Sequence, residues 1–204
     1  MNPFFSIAKA VALAILVVAA ASFPAAAETP SKVAEKFQAN LLQVMKDAEK
    51  LSVRQRYERL APTVETSFHL PLMAQIATAN HWQDASPSQR VQLVSAFRRM
   101  SVTTLATLFD SYDGESFQVL AEKPGPQHTQ LVLTKLTKSD KSTVNIAYVA
   151  RKFEDGWRMI DVIVDDGISE LKVRRSEYSS VLKSDGIPGL VALLNRKADE
   201  LISK

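Results

Sequence analysis

Apolar side chains recur along most of this chain at steps of three and four, and along one long stretch at steps of two. From Ser31 to Leu51 the positions Val33, Phe37, Leu41, Val44, Ala48 and Leu51 form one stripe with a charged face opposite, which predicts an amphipathic helix. Pro62 interrupts the helical pattern. Thr66 to Asn80 then carries Phe68, Leu72, Met73 and Ile76 at helical spacing, predicting one or two short helices with Pro71 in or breaking a first turn. Ser86-Pro87-Ser88-Gln89 has a hydroxyl cap, proline at the first helical position and glutamine placed to bond back, so a helix starts there. That helix shows Leu93, Phe97, Met100, Thr104 and Leu108 on one face, and Asp113-Gly114 supplies its stop.

Beyond Gly114 the period falls to two. Ser116 to Glu122, Thr129 to Thr137, Thr143 to Phe153 and Trp157 to Val164 are rich in Val, Ile, Thr and aromatics and predict four strands. The connections between them, among them the tight-turn pair Asp155-Gly156, are too short for parallel crossovers. The strands therefore form an antiparallel meander. Val144, Ile146, Tyr148 and Ala150 share one face of the third strand, and Ile160, Val162 and Val164 one face of the fourth, so these faces are expected to meet the helices. A closing helix is expected from about Ile168 to Lys183, and Pro188 opens another. Helices, sheet, helices is the order of an α+β fold: a four-stranded antiparallel meander packed against N-terminal and C-terminal helices.

The first residues follow neither pattern. The apolar run Ala10 to Ala21 is followed by Ser22-Phe23-Pro24 and Ala25-Ala26-Ala27, which predicts a secretory signal peptide over 1–27 with cleavage after Ala27. The run is well short of the roughly 20 residues that span a bilayer. The remaining 28–204 has the length of one domain. The chain has no cysteine, so disulfides, a thiol nucleophile and thiolate metal sites are excluded and stability must come from packing. A formal net charge of +3 is too mild to point to nucleic acid, and none is expected as a partner.

The search for chemistry returns mainly absences. The six glycines form neither GxGxxG, GxxxxGK[ST] nor GxSxG, so phosphate cradles and a nucleophile elbow lack their backbone requirements. His69, His81 and His128 have no short metal spacing, and no metal site is expected. Asp165-Asp166-Gly167 reads as a solvated turn before it reads as a cation loop. Asp161 interrupts an apolar strand and needs a partner, which makes it a structural hydrogen-bonding group or, alternatively, a catalytic base. The pairs Arg98-Arg99 and Arg174-Arg175 each lie on a helix with apolar residues, as solvated flanks or as contacts to an acidic protein or lipid headgroup. Periodicity does not distinguish a filled core from a cavity between the helix stripes and the sheet.

Ser86-Pro87-x-Gln89-Arg90, Ala96-Phe97-Arg98, Tyr112-x-Gly114, Trp157 through Asp161, Gly167-Ile168-Ser169 and Leu182-x-x-x-Gly186-Ile187-x-Gly189-Leu190 occur in this order. The ordered set resembles the MlaC family, also called the toluene-tolerance family, over about Ser31 to Arg196. Phe109-Asp110-x-Tyr112-x-Gly114-Glu115-Ser116-Phe117 and Ser169-Glu170-Leu171 through Arg174-Arg175-Ser176-Glu177-Tyr178 resemble more closely its hopanoid-associated branch, HpnM. The resemblance implies a periplasmic, non-enzymatic carrier with helices and a sheet around an acyl-chain cavity. It would pass phospholipid between an outer-membrane lipoprotein complex and an inner-membrane ABC transporter complex, as a monomer and with no cofactor besides its cargo. Two alternatives stay open: a hopanoid carrier, and a periplasmic adaptor that binds no lipid.

On that reading the wall is expected to comprise Phe68, Met73, Ile76, Phe97, Met100, Leu108, Ile146, Tyr148, Ile160 and Val162, with Met73, Met100 and Met159 suited to an adaptable shape. Arg98 and Arg174 are the candidates for partner docking. A lipid with about thirty methylenes, each worth about 0.8 kcal/mol against water, cannot diffuse freely through an aqueous compartment, so a carrier needs a dry pocket and no reactive group.

Overall fold

The computed structural model describes residues 28–165 and 167–203. The expected leader over 1–27 and its cleavage site lie outside the described residues. Helix α1 (Pro30–Lys46) starts where the Thr29 hydroxyl accepts the Lys32 N–H and Pro30 takes the first position, and its stripe Val33, Phe37, Leu41 and Val44 is buried as the periodicity predicts.

Helix α2 (Val53–Ser67) corrects the expected break at Pro62, which lies inside it. A reciprocal cap between Ser52 and Gln55 starts the helix, and the fully buried Leu60 and Val64 hold both sides of the proline against the core. That burial outweighs the roughly 3 kcal/mol an interior proline costs. Arg56 on the same helix is buried and donates to the carbonyls of Ala106 (2.7 Å), Leu51 (2.7 Å) and Ala48 (3.2 Å), closing helix ends that would otherwise lack partners.

The expected helix over Thr66 to Asn80 is divided. Phe68 is extended and bridges Met159, and the His69 N–H donates to the Met159 carbonyl at 2.9 Å. His69 Nδ1 then caps α3 (Leu70–Thr78), with Pro71 in its first turn, and α4 (Asn80–Asp84) follows. Helix α5 (Pro87–Leu108) has the predicted cap, with the Ser86 N–H on Gln89 Oε1 and the Gln89 N–H on Ser86 Oγ. It ends at Leu108 rather than at Asp113-Gly114, because Phe109 leaves helical geometry and turns towards the sheet.

Strands β1 (Ser116–Pro124), β2 (Gln130–Thr137), β3 (Thr143–Phe153), β4 (Gly156–Val164) and β5 (Ile168–Ser169) pair antiparallel in sequential order. The meander therefore has five strands, not four. The fifth is two residues long, too short to show an alternation. The α+β class stands as expected.

The register of β3 against β4 decides which side chains of the sheet meet the helices. Tyr148 faces Val162 and Val149 faces Asp161, but Ala150 faces Met159, so Ile160 is an extra, bulged residue. Met159 and Val162 consequently belong to the same helix-covered side, and Ile160 does not follow them.

The closing segment α6 (Glu170–Ile202) consists of the two expected helices, meeting at a kink where Gly186 leaves helical geometry. It packs on α3 and α5, α2 packs on α5, and α1 lies across the sheet. Gly186 sits at φ 63°, ψ −159°, a region open essentially to glycine alone, and lets Pro188 open the second half of the helix without a clash. Gly186→Ala is expected to cost about 1–3 kcal/mol, seen as a lower urea midpoint with an unchanged slope.

Candidate functional site

Between the sheet and the helices lies a mostly apolar cavity of about 220 Å³. Its floor is made by Phe37 and Leu41 of α1, Val64 of α2, Phe68, Leu70 and Met73 around the start of α3, and Tyr148 of β3. Phe37 is the hub of this floor, meeting Phe68 edge-on at 5.0 Å and Tyr148 at 6.1 Å between ring centroids. The sheet contributes two facing pairs, Tyr148 with Val162 and Ile146 with Val164, together with Phe117. Ser101, Thr104, Leu105, Leu108 and Phe109 form the α5 side. Burial differs widely among the lining residues: Tyr148 and Phe37 are 3% exposed, Ile146, Val162 and Val164 half-buried, and Leu108 70% exposed. Leu108, with the partly exposed Glu170 and Arg174 of α6, marks the rim where the lining reaches solvent.

Of the ten expected wall residues, Phe68, Met73, Leu108, Ile146, Tyr148 and Val162 line this cavity. The other four do not. The bulge in β4 takes Ile160 out of phase with Val162. Phe97 is buried below the rim, with the Arg174 guanidinium 5.7 Å above its ring, Met100 packs against the core, and Ile76 is an exposed residue of α3. Phe37 and Leu41 belong to the α1 stripe, whose spacing marked them as buried but carried no sign that they faced a space. Phe109, Phe117 and Glu170 reach the site through turns and register, which periodicity does not encode.

The two arginines assigned to docking occupy different settings. Arg98 is engaged within the fold, bonded to Glu65 and to the Tyr57 hydroxyl at 3.0 Å, on the α2-facing side of α5. Arg174 lines the cavity rim and donates to the Tyr178 hydroxyl at 3.4 Å. Asp161 is a structural group: its carboxylate accepts the Ser169 hydroxyl at 2.6 Å, the Leu171 N–H at 3.2 Å and its own neighbour's Val162 N–H at 2.8 Å. It thus caps the first turn of α6 and ties that turn to β4. His69 is a helix cap stacked on Phe153, and Asp165 accepts the Asn145 N–H in a turn. Among the described residues no group of three His, Asp or Glu side chains could hold a metal ion, and no helix is long and apolar enough to cross a membrane. The wider concavity at the β3–β4 hairpin, flanked by Lys152, Phe153, Glu154 and Asp155, is open surface.

Helices folded over one face of an antiparallel sheet, with an apolar cavity between the two layers, define an α+β fold with room for an apolar group. Residues 35–196 match the family described as MlaC protein, and the chain belongs to that family. A solved structure with a similar fold is the phospholipid-binding protein of Ralstonia solanacearum in complex with a phospholipid. The two share 17% sequence identity and superpose with a TM-score of 0.72, over 83% of this chain and 96% of that one.

Burial pushes the Tyr148 hydroxyl up to about 12, against the pull of the Gln38 amide that donates to it at 3.3 Å. An unfolded tyrosine ionises near 10, so the unfolded chain loses its proton first, and the stability that Tyr148 contributes below pH 10 is lost as pH rises through 12. A two-unit difference corresponds to about 3 kcal/mol. Tyr148→Phe should therefore flatten the alkaline decline in unfolding free energy by about that amount between pH 10 and 12, measured by urea titration at each pH.

Proposed function

We propose that this protein is a periplasmic lipid carrier, which holds the acyl part of a phospholipid in the cavity between sheet and helices and leaves its headgroup at the Leu108–Arg174 rim. The observation that carries this reading is the contrast within the cavity lining, from a buried aromatic floor at Phe37, Phe68 and Tyr148 to the exposed Leu108 and the charged Glu170 and Arg174. Family membership and the likeness to a phospholipid-binding protein support it. The carrier acts as a monomeric single domain over 28–204 after removal of its leader, moving cargo between an outer-membrane lipoprotein complex and an inner-membrane ABC transporter complex. No proton transfer or nucleophile takes part.

At about 220 Å³ the cavity lies below the roughly 300–1,000 Å³ of pockets that enclose a whole small ligand, so two acyl chains enter only as the walls part. Opening exposes apolar wall to water, and a tail entering covers it again at about 25 cal/mol per Å², so cargo and open form stabilise each other. Unloading then requires a partner that offers the tails an equally apolar place.

Organic extraction of the purified protein followed by mass spectrometry tests the reading. Phospholipid at close to one molecule per chain is the expected result, a hopanoid would reassign the cargo, and lipid-free protein that also takes none from vesicles would sink the carrier reading in favour of an adaptor. Val162→Trp, which fills the cavity from the sheet side at a folding cost of about 1–3 kcal/mol, should reduce bound lipid severalfold while the protein stays folded.

A further inference from the structure

Six arginines of this protein are at least partly buried, and five of them spend their N–H groups inside the fold. Arg56 and Arg90 donate to backbone carbonyls, Arg98 and Arg99 pair with Glu65 and Asp199, and Arg158 bonds Asp155 and the end of α2. Arg174 is the exception. Among the described residues no carboxylate lies within 4 Å of it, and its one side-chain partner is the Tyr178 hydroxyl at 3.4 Å. Yet it is held in place, stacked over Phe97 and anchored through a helix whose first turn Asp161 and Ser169 cap. A guanidinium fixed at the rim of an apolar cavity with donors to spare fits an oxyanion, because its planar fork matches phosphate oxygens. Glu170 lines the same rim one helical turn earlier, and residues four apart on a helix have their Cβ atoms about 5–6 Å from each other. It too has no cation within 4 Å among the described residues.

We infer that Arg174 and Glu170 form a two-point clamp for a zwitterionic phospholipid headgroup, Arg174 taking the phosphate and Glu170 the ammonium of an ethanolamine-type lipid. The inference rests on the carrier reading above and adds selectivity to it. Tail burial supplies affinity for any lipid, and the clamp decides which headgroup stays at the rim.

The test loads lipid-stripped protein from vesicles of equal parts phosphatidylethanolamine, phosphatidylglycerol and diacylglycerol with identical tails, then quantifies bound lipid by mass spectrometry. The wild type should favour the three in that order. Arg174→Gln should lower the ratio of both phospholipids to diacylglycerol on the order of tenfold, and Arg174→Lys should recover part of it. Glu170→Gln should abolish the preference for ethanolamine over glycerol headgroups while keeping the phospholipid to diacylglycerol ratio. Unchanged ratios in either neutral variant would overturn the clamp yet leave the carrier standing, since lipid is still bound, whereas no uptake of any lipid by the wild type would overturn the carrier as well. Titration with inorganic phosphate and with phosphoethanolamine should give no binding at millimolar concentration. Tight phosphate binding that Arg174→Gln removes would mark a site for the free anion and overturn the lipid assignment. Should Arg174→Gln melt early, Glu170→Gln decides through the ethanolamine to glycerol ratio.

Discussion

One inserted residue in β4 sets the inside of this protein. A strand alternates sides at every step, so without Ile160 as an extra residue Met159 and Val162 would face opposite ways. With it, Met159 is fully buried against the helices and pairs with the Phe68 segment, while Val162 and Val164 face the cavity. The same strand thus closes the core at one end and opens a hollow at the other. The change occurs where the chain between α2 and α3 comes in to bond the Met159 carbonyl.

The bulge also decides where Asp161 points. Opposite Val149 and off the cavity side, its carboxylate meets Ser169 and the Leu171 N–H and fastens the start of α6 to the strand. A carboxylate at a helix N-terminus satisfies free donors and opposes the helix dipole, so the bond is stronger than a neutral cap. Everything the first turns of α6 carry is placed by it, including Glu170 and Arg174. The cavity and its charged rim are in this sense two consequences of one strand irregularity. The far end of α6 is freed to follow the core by the turn at Gly186.

An apolar hollow is costly for a fold whose other interior positions are closely packed, because its lining forgoes contacts that a filled core would make. Here the lining is shared among short side chains of the strands, Ile146, Val162 and Val164, and large aromatics of the floor. Stability comes from elsewhere: the α2–α5–α6 packing around Leu60, Phe97 and Leu190, and the buried Arg56 closing helix ends. A fold that separates its stabilising core from its cavity can rearrange the second without losing the first.

Much of this architecture was legible in the residues. The Ser86-Pro87-Ser88-Gln89 start, the α1 stripe, four strands and their antiparallel order follow from capping chemistry, periodicity and short connections, all of which act within a few residues. The α2 helix through Pro62 was not legible, since local cost argued against it and only burial of Leu60 and Val64 overrules that cost. Six of the ten residues expected on the family resemblance line the cavity, and Ile160 does not, because a bulge changes phase without changing composition. What the amino-acid order determined by itself was the set of elements and the apolar face of each. Which faces leave a space, and which arginine ends at the cavity with no carboxylate partner among the described residues, depends on long-range register and packing that no local pattern contains.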